Sequence, residues 1–173
     1  MVLPGFPAAG SGSDALAEAL AVAGVRLRTG RECDLPFLRM LYRQTRDDEL
    51  AVTGWPEATR ATFADQQFGM QHIHFVSHFP HAHFFVLQRK GRDIGRYYLD
   101  VTGEAWHVVD IALVSDARGQ GIGTALLRAT RALAPAVTLS VAVNNPAAMR
   151  LYTRLGFVDE GAAGGMHRRM RAS

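Results

Sequence analysis

The sequence predicts a single α/β domain with a mixed central sheet flanked by helices. Three observations lead there. The length, 173 residues, fits one domain. Alternating or β-branched runs at 25–28, 83–89, 94–101, 106–114 and 137–143 are separated by stretches of helical period. Some of these strands follow one another directly and others alternate with helices, an order that suits a sheet of mixed direction. The composition, 48% hydrophobic and 20% charged, is that of a globular protein and excludes disorder over most of the chain, a collagen-like chain or a coiled-coil rod. No apolar run reaches the length of a membrane span, so no membrane partner is expected. A single cysteine, Cys33, excludes a disulfide framework and a cysteine-built zinc cage.

The elements follow in order. Residues 1–13 are rich in Gly, Pro, Ala and Ser and lack a charged segment leading into an apolar one, so no secretory signal is read. We take 1–23 as a flexible leader with a short helix over 14–23, and 24–173 as the domain. A cytoplasmic setting is expected. A first strand at 25–28 leads to Asp34 as a helix cap with Pro36 in the first turn, and this helix runs to about Arg46. Residues 47–56 read as a polar turn carrying Glu49 and Trp55. A second helix is expected over about 56–79. Three strands follow, with turns at 90–93 and 102–104; the third, 106–114, is apolar enough for a central position. A glycine-rich loop, 115–123, opens a helix with Ile122, Leu126, Ala129 and Leu133 on one stripe, stopped by Pro135. After the strand at 137–143, Asn145 caps a helix with Pro146 at its first position and Gly156 at its end. Segments 157–158 and 166–171 can close the sheet, and their edges leave a homodimer open.

The basic side chains number 19 against 16 acidic ones, a net charge of +3, and Lys90 is the only lysine. Such a balance is too small to argue for a nucleic-acid partner. Arg168, Arg169 and Arg171 read as a solvated strand or tail. Arginine does suit bidentate contact with phosphate and carboxylate.

The loop Arg118–Gly119–Gln120–Gly121–Ile122–Gly123–Thr124 joins a buried strand to a helix. Glycines let a ligand approach the main chain closely. The helix start offers unpaired N–H groups and a positive dipole end, which favour a phosphate, and Arg118 can add charge. The loop lacks the Gly-Lys-Ser/Thr of a nucleotide-triphosphate loop. It also lacks the third glycine and the downstream acid of a dinucleotide fingerprint. A second motif lies one strand later: Asn145–Pro146–Ala147–Ala148–Met149–Arg150–Leu151–Tyr152, then Leu155–Gly156–Phe157. Together the two motifs resemble the GNAT superfamily of acetyl-CoA-dependent N-acetyltransferases. Arg118, Gly121 and Gly123 match its [QR]-x-x-G-x-[GA] signature, and the motif-bearing likeness covers about 106–157.

The resemblance implies a GNAT-like fold in which the strand before the loop splays from its neighbour and the cosubstrate, acetyl-CoA, wedges into the gap. It implies main-chain pairing of Leu113 and Val114 with the pantetheine arm, with the Leu113 N–H as donor to the thioester oxygen. Amides of Gly119, Gln120, Gly121, Ile122, Gly123 and Thr124 hold the pyrophosphate. Asn145 contacts the cofactor or simply caps its helix. Tyr152 matches the usual general acid. A thiolate leaving group, with a conjugate acid near ~8.5 if it resembles cysteine, is well served by a phenol near ~10. The acceptor, a small-molecule or peptide primary amine, must be neutral to attack, so a base helps. The family's frequent base position, eleven residues before Arg118, falls on His107. Strand alternation groups His107 with Val109, Ile111 and Leu113 and turns Asp110 to the opposite face, unless a bulge turns it back. Asp110 and Glu49 are weaker candidates to meet the amine, and Trp55 and Tyr97 are candidates for the acceptor pocket, with core packing the simpler role for Tyr97 and Trp55. Ala142 stands where some relatives carry a glutamate.

Five histidines, His72, His74, His78, His81 and His83, fall within twelve residues. With no carboxylate or cysteine nearby and Pro80 interrupting, they read as an aromatic stretch packed on the sheet; no metal is expected. The function so read is acetyl transfer to an amine by direct attack in a ternary complex. The alternative is an inactive acyl-CoA-binding sensor or interaction domain.

Overall fold

A computed structural model describes residues 2–8, 10, 12–22 and 24–173. The order is α1 (Ser13–Ala19), β1 (Val25–Thr29), α2 (Leu35–Ala51), α3 (Glu57–His78), β2 (His83–Arg89), β3 (Arg92–Asp100), β4 (Trp106–Leu113), α4 (Ile122–Leu133), β5 (Val137–Ala142), α5 (Pro146–Arg154), β6 (Val158–Ala162) and β7 (His167–Ala172). The seven strands form one sheet in the order β1-β2-β3-β4-β5-β7-β6.

Of the boundaries that differ from the sequence reading (α1 ends at Ala19, not at 23, and β6 runs on to Ala162), two have a clear physical reason. The second helix, α2, continues to Ala51 through the polar stretch assigned to a turn, because Leu50 is buried in the core and fixes the last turns. Glu49 therefore sits on a helix, not in a loop. β3 begins at Arg92 because Lys90 and Gly91 both take positive φ, 51° and 76°, a two-residue turn whose twist suits a hairpin.

β1 to β4 are antiparallel, and β4 meets β5 in parallel. That parallel pairing covers only Trp106–Val108 against Val137–Leu139, after which the two strands part. The parting coincides with a β-bulge. Tyr98 opposes Asp110 and Leu99 opposes Val108, so Val109 is an extra residue in β4. A bulge bends its strand and resets the alternation of side chains. The face assignment drawn from simple alternation is thereby corrected: His107, Asp110 and Ala112 share the face of Arg96, Tyr98 and Asp100, while Val108, Ile111 and Leu113 share that of Tyr97 and Leu99.

The Tyr97 face packs on α4, where the Tyr97 hydroxyl and Thr130 Oγ1 are 2.7 Å apart, and its core includes Phe85, Leu87, Leu99, Leu126 and Leu139. On the opposite face Phe84 and Tyr98 pack with Phe75 and Phe79 from α3 and its C-terminal end. At Gly95 β3 leaves no room for a side chain against β4: a Cβ there would lie 2.3 Å from the Ala112 carbonyl oxygen. Gly95→Ala should force the strands apart and cost about 1–3 kcal/mol of stability, read as a lower midpoint in urea.

Ahead of α1 the chain lies against α3. His72 Nε2 donates to the Pro4 carbonyl (2.8 Å), and Phe6 meets His72 edge-on with ring centres 5.1 Å apart. The Ser13 hydroxyl is 2.8 Å from His83 Nδ1. Both imidazoles are buried, and burial pushes both below their ordinary value. A buried neutral imidazole contributes stability that is present above the unfolded value, near ~6.5, and lost as pH falls below it. Unfolding in urea should show a lower midpoint at pH 5.5 than at pH 7.5, and His72→Gln should flatten that dependence; an unchanged slope in the variant would remove His72 as its source. The His74 and His78 rings lie tilted, 4.1 Å between centres, on the surface of α3, and His81 is exposed. Among the described residues no three metal-binding side chains converge, and no helix is long and apolar enough to cross a membrane.

Candidate active site

The parted strands open a cavity of about 440 Å³ whose walls include Tyr42, Gln71, Arg96, Asp110, Leu113 and Tyr152. Six elements meet there, α2, α3, β3, β4, α4 and α5, and the main chain of β4 is its floor. Val114 N–H bonds the Ile94 carbonyl (2.9 Å), so residues 94 and 114 form a hydrogen-bonded pair. In an antiparallel ladder such pairs alternate, which makes Gly95–Leu113 and Tyr97–Ile111 the intervening kind. The N–H and C=O groups of Leu113 and Ile111 therefore point away from β3, into the gap left by β5. Val114 is different: its N–H serves Ile94 and its carbonyl accepts from Ala117 N–H (3.0 Å), so its polar groups are already committed.

The glycine loop lies at the end of this floor. Gly119 and Gly121 take φ of 71° and 77°, conformations that side-chain-bearing residues avoid. The first helical bond of α4 runs from Ala125 N–H to the Gly121 carbonyl, so the N–H groups of Ile122, Gly123 and Thr124 in the first turn have no helical partner. Ile122 anchors this turn with a fully buried side chain and offers only its amide. Arg118 turns back, its Nε donating to the Leu113 carbonyl at 2.9 Å. Gln120 is held from both ends, accepting from Arg89 (2.5 Å) and donating to the Asp116 carbonyl (2.6 Å).

Tyr152 enters from α5. Asn145 Oδ1 accepts from Ala148 N–H (3.1 Å) and caps this helix, and Gly156, at φ 82°, ends it. Burial, with the charge of Asp110 second, pushes the Tyr152 hydroxyl up to about 12. It stays protonated across the physiological range and is a donor.

Asp110 lines the same cavity because the bulge turns it there. Its Oδ2 accepts from Arg96 Nε (2.6 Å). Arg96 is 3% exposed, donates also to Gln71 Oε1 (2.6 Å), and lies against the rings of Phe75 and Tyr98. Such a buried cation is tolerable only when paired, and here the pairing fixes one carboxylate oxygen of Asp110. Sequence reasoning missed Arg96 and Gln71. Both lie outside the motifs, and only the bulge brings Asp110 to Arg96.

The other candidates lie elsewhere. His107 stacks on Phe79 (5.7 Å between ring centres) with Nδ1 2.9 Å from Thr138 Oγ1, and it lines a separate groove. Burial, then Arg169, lowers its proton affinity against the pull of Asp100. The structure does not bring it to Tyr152, because His107 sits where β4 and β5 are still paired. Tyr97 is fully buried. Glu49 is exposed and pairs with Arg46 at 2.7 Å, and Trp55 packs edge-on against Phe63 in its own shallow recess.

A seven-stranded α/β sheet parted beside a glycine-rich helix start is the class that fold and site define. Residues 80–159 match the acetyltransferase (GNAT) domain family. An uncharacterised N-acetyltransferase of Methanocaldococcus jannaschii is 33% identical over 91 residues, which are 49% of this chain; the match spans 58% of that relative's length. The PaiA N-acetyltransferase of Thermoplasma acidophilum, solved in complex with coenzyme A, superposes with a TM-score of 0.63 at 16% identity, covering 86% of this chain and 98% of that one. An acetyltransferase of Thermus thermophilus does so with 0.63 at 17% identity, covering 87% and 97%. At such identities the solved structures speak for the fold. Over residues 80–159 the chain is thus similar to the acetyltransferase (GNAT) domain family.

Proposed function

We propose that this protein transfers the acetyl group of acetyl-CoA to a primary amine by direct attack. The observation that carries the reading is one cavity holding main-chain donors, a protonated phenol and a carboxylate. Amides of the Gly119–Thr124 turn take the pyrophosphate. The pantetheine arm pairs with the open edge of β4 at Ile111 and Leu113 rather than at Val114. Asp110, not His107, faces the incoming ammonium and takes its proton through the carboxylate oxygen that Arg96 leaves free. The amine lone pair then forms the C–N bond at the thioester carbon, and Leu113 N–H holds the oxyanion. The C–S bond breaks, and the departing sulfur accepts a hydrogen bond and then a proton from Tyr152, which is reprotonated from solvent. We place this activity in the cytoplasm, and the open edges of β1 and β6 are where a second copy would pair.

The test is a thiol-release assay with acetyl-CoA and a panel of amines, run beside calorimetric binding of coenzyme A. Binding with release supports the transferase. Binding without release from any amine supports the inactive acyl-CoA-binding reading, and no binding removes both.

A further inference from the structure

The face that carries Asp110 holds a second recess. Toward the start of β4 lies a groove of about 490 Å³ lined by Phe79, Asp100, His107, Thr138, Ser140 and Arg169. It is chemically mixed. Arg169, paired across strands with Ser140, sits 3.4 Å through its Nε from Glu160 and keeps its two terminal amino groups as donors. Asp100 uses Oδ1 for the Thr102 amide and hydroxyl (2.9 and 2.6 Å), which leaves Oδ2 as an acceptor. His107 is half-buried, and Thr138 Oγ1, which donates to the Trp106 carbonyl (3.5 Å), receives the proton on His107 Nδ1. That assignment leaves His107 Nε2 as a bare acceptor. His107 lies between Arg169 and Asp100 across the sheet: Asp100 is its partner on β3, Thr138 its partner on β5, and Arg169 follows on β7 opposite Ser140.

A groove with one cation, one anion, a neutral acceptor between them and a hydroxyl beside the cation complements neither a polycation nor a phosphate. It complements an ammonium and a carboxylate carried on one carbon. The bulge puts this groove and Asp110 on one face: His107 and Asp110 oppose Asp100 and Tyr98, two residues apart on β3 and so about 7 Å in extended chain. A short aliphatic chain spans that separation.

We infer that this groove is the head-group subsite of the acceptor. It binds the ammonium and carboxylate of a free α-amino acid, whose distal primary amine reaches Asp110 and Tyr152. The inference rests on the acetyl-transfer reading and deepens it by naming the acceptor class. Arg169 and Ser140 take the carboxylate; Asp100 and His107 Nε2 take the α-ammonium.

Thiol release is measured with lysine and ornithine, with the diamines of equal chain length, and with lysine amide, in the parent protein, R169Q and R169K. The amino acids should exceed the diamines and the amide by about tenfold in kcat/KM, through KM, since a half-exposed arginine–carboxylate contact is worth that order. R169Q should erase the difference and R169K should keep part of it. Mass spectrometry should find the acetyl group on the distal nitrogen. Diamines equal to or better than amino acids in the parent protein, an R169Q penalty shared by both acceptor types, or α-acetylation would overturn the subsite. Calorimetric titration of lysine into the coenzyme A complex reads the groove without turnover. Binding lost in R169Q supports it, and no heat of binding overturns it. Absence of thiol release with every amine strikes instead at the transferase reading.

Discussion

Tyr152→Phe should lower kcat by about a hundredfold or more, the range of a positioned acid, while coenzyme A affinity changes little. The substitution removes one oxygen and keeps the ring that packs at 5.9 Å against Phe157, so α5 and its cap should hold. The hydroxyl is pushed up to about 12, which bears on the pH dependence. A group ionising that high contributes no limb to a rate profile between pH 6 and 9, so the variant should show the parent profile at reduced height. Single-turnover measurement with preloaded acetyl-CoA is the reading to trust, because slow product release could hide a chemical defect. An undiminished single-turnover rate would remove Tyr152 as the acid.

Asp110→Asn should act on two quantities at once. Removing the base should depress kcat/KM by about 10²–10⁴. Removing the charge strands Arg96, which is 3% exposed, and breaking a buried pair from one side costs up to about 3–5 kcal/mol. Asp110 reaches solvent, so the lower part of that range is expected. The double variant D110N/R96M separates the effects. With neither charge buried it should regain much of the stability lost in the single variant, and it should remain inactive. Recovery of activity along with stability would show that Asp110 serves the fold alone.

Much of the architecture was legible because its signals are local. Lys90–Gly91 between two alternating runs marks a hairpin. Asn145–Pro146 with Gly156 brackets α5, and the glycine loop marks the start of α4. Tyr152 falls on α5, in the cavity wall. What escaped depends on counting across strands. Nothing in Trp106–Leu113 announces that Val109 is surplus, since the bulge exists only relative to β3. The error at Asp110 and His107 follows from that one residue. Arg96 was invisible for a related reason: a charged residue in a strand reads as solvent-facing until its partners on α3 and β4 are known. The extent of α2 was misjudged because Asp47, Asp48 and Glu49 look like loop residues, and only burial of Leu50 reveals the extra turn. The same holds for the segment ahead of α1, whose Gly and Pro content gives no hint of the contact between Pro4 and His72.

The surplus residue at Val109 has a bearing on how such a protein changes over time. The cleft opens where the count of amino acids in two neighbouring strands stops matching, not where any one side chain demands it. Exchanging Val109 for another aliphatic residue should therefore keep the opening, whereas excising it should let β4 pair further along β5 and narrow the cleft. Insertions and deletions in this stretch, more than substitutions, are the changes expected to reshape the cavity.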